Sequence, residues 1–112
     1  MALMDIPSLA ATIRSVARVL TRDGWFVFSI VHPCFHNHVE IVSDYLVEHS
    51  YEKRLLLDAL PRHAYHRPLS AYVNELAVAG FHPVRMVESH HAASQGPGVP
   101  GLLYLRAVKR SA

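Results

Sequence analysis

The segment Asp23–Phe35, with the sequence DGWFVFSIVHPCF, constrains the fold more than any other part of the chain. Asp23-Gly24 is a typical turn dipeptide, six of the seven residues of Trp25–Val31 are apolar, and His32-Pro33 ends the run. A short apolar run rich in aromatic and β-branched residues predicts a strand buried on both faces. Such strands are typical of parallel sheets covered by helices, where ligands bind beyond the carboxyl ends of the strands. We therefore expect residues 32–35 to lie at a site.

The composition indicates one small globular domain covering residues 1–112. The chain has 112 residues, of which 51% are apolar and 18% charged, which argues against disorder. The formal net charge of +2 is small, and the arginines are dispersed, so nucleic-acid binding is not favoured. The single cysteine excludes an internal disulfide and fits a reducing compartment. The sequence has neither a basic signal segment nor an apolar run of the roughly 20 residues that span a membrane. We expect a cytoplasmic protein without membrane contact.

Two amphipathic helices are predicted. The first begins near Asp5 or Ser8, either of which is a good N-cap, and ends near residues 21–23. Its apolar stripe consists of Leu9, Ile13, Val16, Ala17 and Leu20. The three arginines at 14, 18 and 22 form a second face, which is more typical of a solvated surface than of a phosphate site. The second helix begins at Pro68 and ends at Gly80, a favourable C-terminal cap.

The C-terminal part of the chain predicts two strands, at residues 82–88 and 102–108, joined by a loop at 89–101. Strands joined without a helix are most simply antiparallel. Pro83 cannot donate a hydrogen bond to a ladder, so the first of these strands is expected at the edge of the sheet.

Residues 36–66 form an irregular excursion or cap. Segments 39–47 and 51–57 each suit a short strand or a helical turn, and together they suggest a hairpin over the ends of the strands. His32, Cys34, His36 and His38 alternate in HPCFHNH, and zinc accepts such donors. Their spacing matches no defined zinc-finger pattern, so we expect no metal.

Four segments carry a resemblance to a known family: MALMDIP (1–7), ARVLTRDGWFVFSIVHPCF (17–35), HRPLSAYVNELAVAGF (66–81) and LLYLRAVK (102–109). In this order they resemble the C-terminal half of a class I S-adenosylmethionine-dependent methyltransferase. The family's R-x-L-x-x-G-G helix end corresponds to residues 18–24, with Asp23 in place of the first glycine. The resemblance implies an α/β, partial Rossmann-like fold. Its small mixed sheet would contain one parallel-type central strand and an antiparallel C-terminal strand pair, flanked by helices.

The resemblance also implies site residues. Leu3 and Met4 correspond to a loop lining the cofactor, although both suit simple packing at the helix entry. His32 and Pro33 correspond to the loop facing the methyl acceptor, and His32 is a candidate acceptor-binding residue or general base. The alternative for His32 is a pre-proline turn residue with a satisfied imidazole. The acceptor pocket would also include His66 and Tyr72. The alternative for Tyr72 is a core residue of its helix.

The cofactor part of the family pattern is missing from this sequence. Its glycines are at 24, 80, 96, 98 and 101, so no G-x-G-x-G turn follows a first strand, and no acidic residue ends a second strand. The resemblance thus implies a methyltransferase using S-adenosylmethionine in a complete protein, inactive as this half alone, with an unidentified acceptor. The half would be a fragment, a truncated gene product or part of a split enzyme. The alternative is a non-catalytic binding or assembly module that kept the scaffold.

A consequence for partners follows from the missing half. The strand at 25–31 would lack a neighbour on one side, leaving an exposed apolar edge. We expect this edge to pair with a complementary N-terminal half or with another copy of the chain. Because the strand is predicted to be buried on both faces, Val27→Lys is expected to damage the core as well.

Overall fold

The computed structural model describes residues 2–36, 40–53, 62–90 and 98–110. A short 3₁₀ helix (Ala2–Asp5) precedes two α-helices and seven strands among these residues. In chain order they are α1 (Leu9–Val19), β1 (Trp25–Val31), β2 (Phe35–His36), β3 (Glu40–Ile41), β4 (His49–Lys53), β5 (Arg62–His66), α2 (Leu69–Val78), β6 (Phe81–Ser89) and β7 (Leu102–Lys109). The α/β class, the two helices and the three long strands are as predicted.

Helix α1 is held at both ends. The Ser8 hydroxyl accepts a hydrogen bond from the Ala11 N–H at 3.4 Å, so Ser8 is the N-cap. At the other end, the buried Lys109 amine donates to the carbonyls of Ala17 and Leu20, the latter at 2.7 Å. A cation is favourable there because the last carbonyls of a helix lack partners and carry negative partial charge. Lys109 therefore joins the end of β7 to α1.

Helix α2 takes its N-terminal cap from outside its own segment. Pro68 precedes the helix and makes no side-chain capping bond. The Tyr45 hydroxyl accepts a hydrogen bond from the Leu69 N–H at 2.9 Å instead. Gly80, with a φ of 89°, adopts the left-handed conformation that ends the helix. The buried side of α2 consists of Tyr72 and Leu76.

The turn between α1 and β1 needs both of its residues. Asp23 has a φ of 68°, a conformation that aspartate tolerates better than most residues. A Cβ on Gly24 would lie 2.8 Å from the carbonyl oxygen of Thr21, so a side chain does not fit without a shift. Asp23 thus supplies the left-handed residue of this turn, and Gly24 supplies the position that has no room for a side chain.

The three long strands form one sheet in the order β1-β7-β6. Both pairs are antiparallel, with Phe28 opposite Leu105 and Met86 opposite Leu105 on the other side. Strand β6 is an edge strand, as Pro83 predicted, and its register shifts between Pro83 and Arg85. Strand β1 has no parallel neighbour among the described residues, where β7 rather than β1 is the central strand.

The prediction that β1 is buried on both faces is wrong for its first half. Trp25 is 63% exposed and Val27 60% exposed, whereas Ile30 and Val31 are buried. Helix α2 packs on β6 and on α1, and the Tyr72 ring on α2 lies 6.1 Å from that of Phe28, so both helices cover the same face of the sheet. Trp25 and Val27 point to the opposite face. The expectation that Val27→Lys damages the core is therefore also wrong.

Residues 36–66 contain two small antiparallel sheets. Strand β2 pairs with β3, and β4 pairs with β5 in register from His49↔His66 to Lys53↔Arg62. Strand β5 packs on the 3₁₀ helix, and Ala64 is fully buried. Strands β4 and β5 form an antiparallel pair beside the C-terminal end of β1, but this pair does not join the predicted segments 39–47 and 51–57, because β5 lies outside both. Residues 37–39 and 54–61, and residues 91–97 of the predicted loop 89–101, lie outside the described residues.

No helix in the described part of the chain is long and apolar enough to cross a membrane.

Candidate functional site

A small cavity lies at the C-terminal end of β1, between that strand, the 3₁₀ helix, α2 and the β4–β5 hairpin. Its volume is about 10 Å³, which is roughly the space needed for one water molecule. Its lining is aromatic and basic, and consists of Met4, Val31, Pro33, Phe35, Tyr51, Tyr65, His66, Arg67 and Tyr72. The elements that build it are far apart in sequence, so the cavity depends on the tertiary fold.

Four of the six predicted site residues meet at this cavity: Met4, Pro33, His66 and Tyr72. Met4 belongs to the loop that the resemblance assigned to the cofactor. Pro33, His66 and Tyr72 belong to the part that it assigned to the methyl acceptor. Tyr72 is only 2% exposed and belongs to the hydrophobic core. It is therefore both a core residue of its helix and a residue of the cavity lining.

The two predicted cofactor residues are both buried. The Val31 N–H points at the Met4 sulfur at 3.4 Å, which fixes Met4 against the end of β1. Leu3 lines a separate groove between α1 and β1. A cavity of about 10 Å³ does not hold an adenosyl group. At this cavity the described residues therefore do not enclose an adenosyl group, and the Met4 thioether would form only one wall of a larger site.

His32 lies beside this cavity rather than in its lining. Its Nε2 lies 2.6 Å from a Glu88 carboxylate oxygen, and its Nδ1 accepts a hydrogen bond from the Cys34 N–H at 3.2 Å. Because Nδ1 is an acceptor, the proton of the neutral ring is on Nε2 and is donated to Glu88. Both nitrogens are thus engaged, so acting as a base would require His32 to break one of these bonds. Its role as base or acceptor ligand stays a prediction.

Arg67 is the main residue that the sequence did not single out. It is 4% exposed, and its guanidinium donates to the carbonyls of Leu3 at 3.3 Å, Ile6 at 2.6 Å and Pro7 at 3.0 Å. Its Nε lies 3.7 Å from a Glu48 oxygen. Arg67 therefore joins the 3₁₀ helix and the entry of α1 to the hairpin. The sequence feature that could have identified Arg67 is its position directly before Pro68, inside the segment 66–81 that resembles the family.

A second, more open pocket of about 250 Å³ lies on the other side of Tyr65, His66 and Arg67. Its remaining lining residues are Pro7, Glu48, His49 and Ser50. The imidazole rings of His49 and His66 lie 4.9 Å apart, and the Nε2 of His66 donates to the Tyr45 carbonyl at 2.8 Å. This bond places the proton of neutral His66 on Nε2. The hairpin thus presents polar and aromatic groups to both pockets.

Burial changes the acid–base behaviour of these groups. It raises the pKa of Tyr51 to about 12, with smaller contributions from Tyr72 and Asp5. It also raises the pKa of Tyr72, against the opposing effect of Arg67. Burial lowers the pKa of His66, which favours the neutral ring. The pKa of the Cys34 thiol is raised by burial and by Glu88, so the thiol is favoured over the thiolate. The site therefore offers neutral phenols and imidazole near pH 7.

Among the described residues, no group of three or more histidine, cysteine, aspartate or glutamate side chains is placed to hold a metal ion. The histidine-rich run HPCFHNH lies partly outside these residues, since positions 37 and 38 are not described.

No protein-family model matches the chain, and no curated protein matches it. Two solved structures are similar. One, provisionally described as an S-adenosylmethionine dependent methyltransferase from Listeria monocytogenes, has a TM-score of 0.83 and 24% identity, and the match covers 99% of this chain and 59% of that one. The other, an S-adenosylmethionine dependent methyltransferase from Mesorhizobium loti, has a TM-score of 0.75 and 22% identity, over 96% of this chain and 58% of that one.

The chain thus spans less than three fifths of the length of these two proteins, and it aligns with them over nearly its own full length. At these identities the likeness establishes the fold. The α/β order, the β1-β7-β6 sheet and these two neighbours together show that the chain has a class I methyltransferase-like fold.

Proposed function

We propose that this chain is the acceptor-side part of an S-adenosylmethionine-dependent methyltransferase. The observation that carries the proposal is the meeting of Met4, Pro33, His66 and Tyr72 at one cavity beyond the C-terminal end of β1. That edge is where ligands bind in open α/β sheets. The likeness to two S-adenosylmethionine dependent methyltransferases supports the assignment of the fold to this chemistry.

In this proposal the chain binds and orients the methyl acceptor and excludes water from it. Methyl transfer from a sulfonium is an in-line displacement, which depends mainly on positioning the two reactants and keeping the site dry. Tyr72 and Tyr51 offer neutral phenolic groups, and His66 offers a neutral imidazole. Arg67 holds the hairpin against the 3₁₀ helix, so it is a positioning residue.

The cofactor site is completed by a part that this chain does not supply. The sequence contains no G-x-G-x-G turn, and about two fifths of each similar structure has no counterpart here. Leu3 and Met4 provide only one wall. We therefore propose that the chain alone neither binds S-adenosylmethionine in the micromolar range nor transfers a methyl group.

The test is calorimetric titration with S-adenosylmethionine of two proteins. One is this chain, and the other is this chain fused to the part of the Listeria monocytogenes protein that it does not cover. We expect no heat of binding for the chain alone and micromolar binding for the fusion. Met4→Ala in the fusion is expected to weaken binding, whereas Val78→Ala, on the exposed side of α2, serves as the matched control.

Two results contradict different parts of the proposal. Micromolar binding by the chain alone would show that its cofactor site is complete. A fusion that folds cooperatively and binds no S-adenosylmethionine would remove the methyltransferase assignment.

The alternative is a non-catalytic assembly module that kept the scaffold. Within the described residues β1 pairs with β7 alone, and this observation favours the alternative, because a strand without a second neighbour is suited to binding another chain. In-frame coding sequence upstream for a strand followed by G-x-G-x-G would favour the enzyme, and a start site directly before Met1 would favour the module.

A further inference from the structure

Arg67 is a buried cation whose charge is only loosely balanced. Its guanidinium is 4% exposed and donates to the backbone carbonyls of Leu3, Ile6 and Pro7, which carry no net charge. Its ion-pair partner among the described residues is the Glu48 carboxylate, which lies 3.7 Å from Nε, too far for a hydrogen bond. A buried charge without a close counterion is costly. This position therefore favours an anion that approaches Nε more closely than Glu48 does.

The aromatic neighbours of Arg67 do not balance its charge. The guanidinium carbon lies 5.5 Å from the centre of the Tyr65 ring, which attracts a cation but carries no net charge. Burial raises the pKa of the neighbouring Tyr72 phenol in spite of the cation beside it, so that phenol is protonated near pH 7. Within the described ranges, the compensating negative charge at Arg67 therefore comes from Glu48.

Glu48 is weakly held, and it belongs to a pocket. Its side chain is 63% exposed, whereas that of Arg67 is 4% exposed. Glu48 lines the open pocket of about 250 Å³ and does not line the small cavity beyond β1. Because Nε of Arg67 faces Glu48, this edge of the guanidinium faces the open pocket. A carboxylate on an exposed side chain is easily displaced, since such contacts contribute little to stability.

The pocket has aromatic walls. The Tyr65 ring lines it, and the imidazole rings of His49 and His66, which also line it, lie 4.9 Å apart with 33° between their planes. Ser50 is exposed and adds a hydroxyl group, which is able to donate a hydrogen bond to an anion. Ligand pockets commonly combine aromatic walls with a few polar groups that orient the ligand. The lining thus suits a planar ligand with one anionic group.

We propose that this pocket binds an aromatic carboxylate, whose carboxylate group displaces Glu48 and accepts a hydrogen bond from Nε of Arg67 while its ring packs on Tyr65. A carboxylate is favoured over a phosphate because Arg67 is the one permanent cation of the lining, and a phosphate carries nearly two negative charges. Burial also lowers the pKa of His66, so its imidazole adds little positive charge near pH 7. The inference rests on the burial of Arg67 and not on the proposed methyltransferase function.

The experiment is a titration of the full chain with benzoate, followed by the proton–nitrogen NMR signal of the Arg67 Nε–H group. We expect saturable shifts of that signal and of the Ser50 backbone amide signal. Glu48→Gln removes the competing carboxylate and is expected to lower the benzoate dissociation constant about fivefold. Since Glu48 is 63% exposed, this change leaves the core intact.

Two further variants separate displacement of Glu48 from a change in net charge. Asp44→Asn removes the same charge from the same exposed segment without altering the pocket lining, so it is the matched control and is expected to leave benzoate binding unchanged. Ser50→Glu adds a second carboxylate to the lining and is expected to raise the benzoate dissociation constant at least about fivefold, because like charges then meet in the pocket.

Four results would overturn the proposal. The first is the absence of a saturable shift of the Arg67 Nε–H signal. The second and third are binding of benzamide, the uncharged analogue, or of inorganic phosphate as tightly as benzoate. The fourth is an equal gain in benzoate affinity from Asp44→Asn and from Glu48→Gln, because binding would then depend on net charge and not on displacement of Glu48.

Discussion

Both faces of the β1-β7-β6 sheet carry large apolar side chains, but the two faces differ strongly in burial. On the face covered by α1 and α2, Ile30, Leu103 and Leu105 are at most 2% exposed. On the opposite face, Trp25 is 63% exposed and Tyr104 40% exposed. The difference teaches that an apolar strand indicates which side chains are stabilised by burial, whereas the neighbouring elements decide which of these side chains are actually buried.

The largest expected effect comes from Leu103 and Tyr104, neighbours on β7 that point to opposite faces. Leu103→Ala removes a buried side chain and is expected to lower the free energy of unfolding by about 3 kcal/mol. Tyr104→Ala is expected to lower it by less than about 1 kcal/mol. Urea denaturation of both variants measures the difference. Equal losses would mean that the open face is packed in solution.

A second pair compares two arginines. Arg67→Met leaves the carbonyls of Leu3, Ile6 and Pro7 without their buried donor and is expected to cost about 2 kcal/mol. Arg106 stacks on the exposed Trp25 ring at 4.6 Å, so Arg106→Met is expected to cost about 0.5 kcal/mol. Thermal unfolding distinguishes them, and the opposite ranking would contradict the assignment of Arg67 as the bond between hairpin and 3₁₀ helix.

The buried His66 is expected to make the free energy of unfolding depend on pH. Burial lowers its pKa below the ordinary value of 6.5, so just below that pH the unfolded chain binds more protons than the folded one. The stability contributed by neutral His66 is therefore present above about pH 6.5 and is lost as pH falls through the folded pKa. Denaturant unfolding between pH 7.5 and 5 is expected to show a shallower loss in His66→Gln. If stability fell as steeply with pH in His66→Gln as in the unsubstituted chain, this role of His66 would be contradicted.

The smallest effect is spectroscopic. Trp25 is the only tryptophan of the chain and lies on the open face, so its fluorescence is expected to be quenched readily by acrylamide at low protein concentration. If β1 pairs with a second copy, quenching is expected to decrease as concentration rises, and Val27→Lys is expected to abolish that decrease. Quenching that is weak at every concentration would mean that the open face is covered within the chain.

Local signals were sufficient for most of the element boundaries. Asp5 or Ser8 before an apolar stripe predicted the start of α1, and Ser8 is the observed N-cap. The Asp23-Gly24 turn with six apolar residues predicted β1 at its observed bounds, Trp25–Val31. Pro83 predicted an edge strand. These succeeded because caps, turns and missing donors act within a few residues.

Long-range contacts explain what was missed. Arg67 has partners about 60 residues earlier in the chain, and no periodicity indicates them. The exposure of Trp25 and Val27 was also missed, because an unbroken apolar run does not reveal that one face lacks a covering element.

By itself the sequence determined the helices, the three long strands, the antiparallel order of the C-terminal pair and the resemblance that placed Met4, Pro33, His66 and Tyr72 near a site. Only the tertiary structure decided that these four meet at one cavity, that His32 instead pairs with Glu88, and that Trp25 and Val27 are exposed on a strand whose only partner among residues 2–36, 40–53, 62–90 and 98–110 is β7. The physical reason is that helix and strand propensities and helix caps contribute free energy through residues that are close together in the sequence. Burial and buried hydrogen bonding depend on which distant segments come together in space.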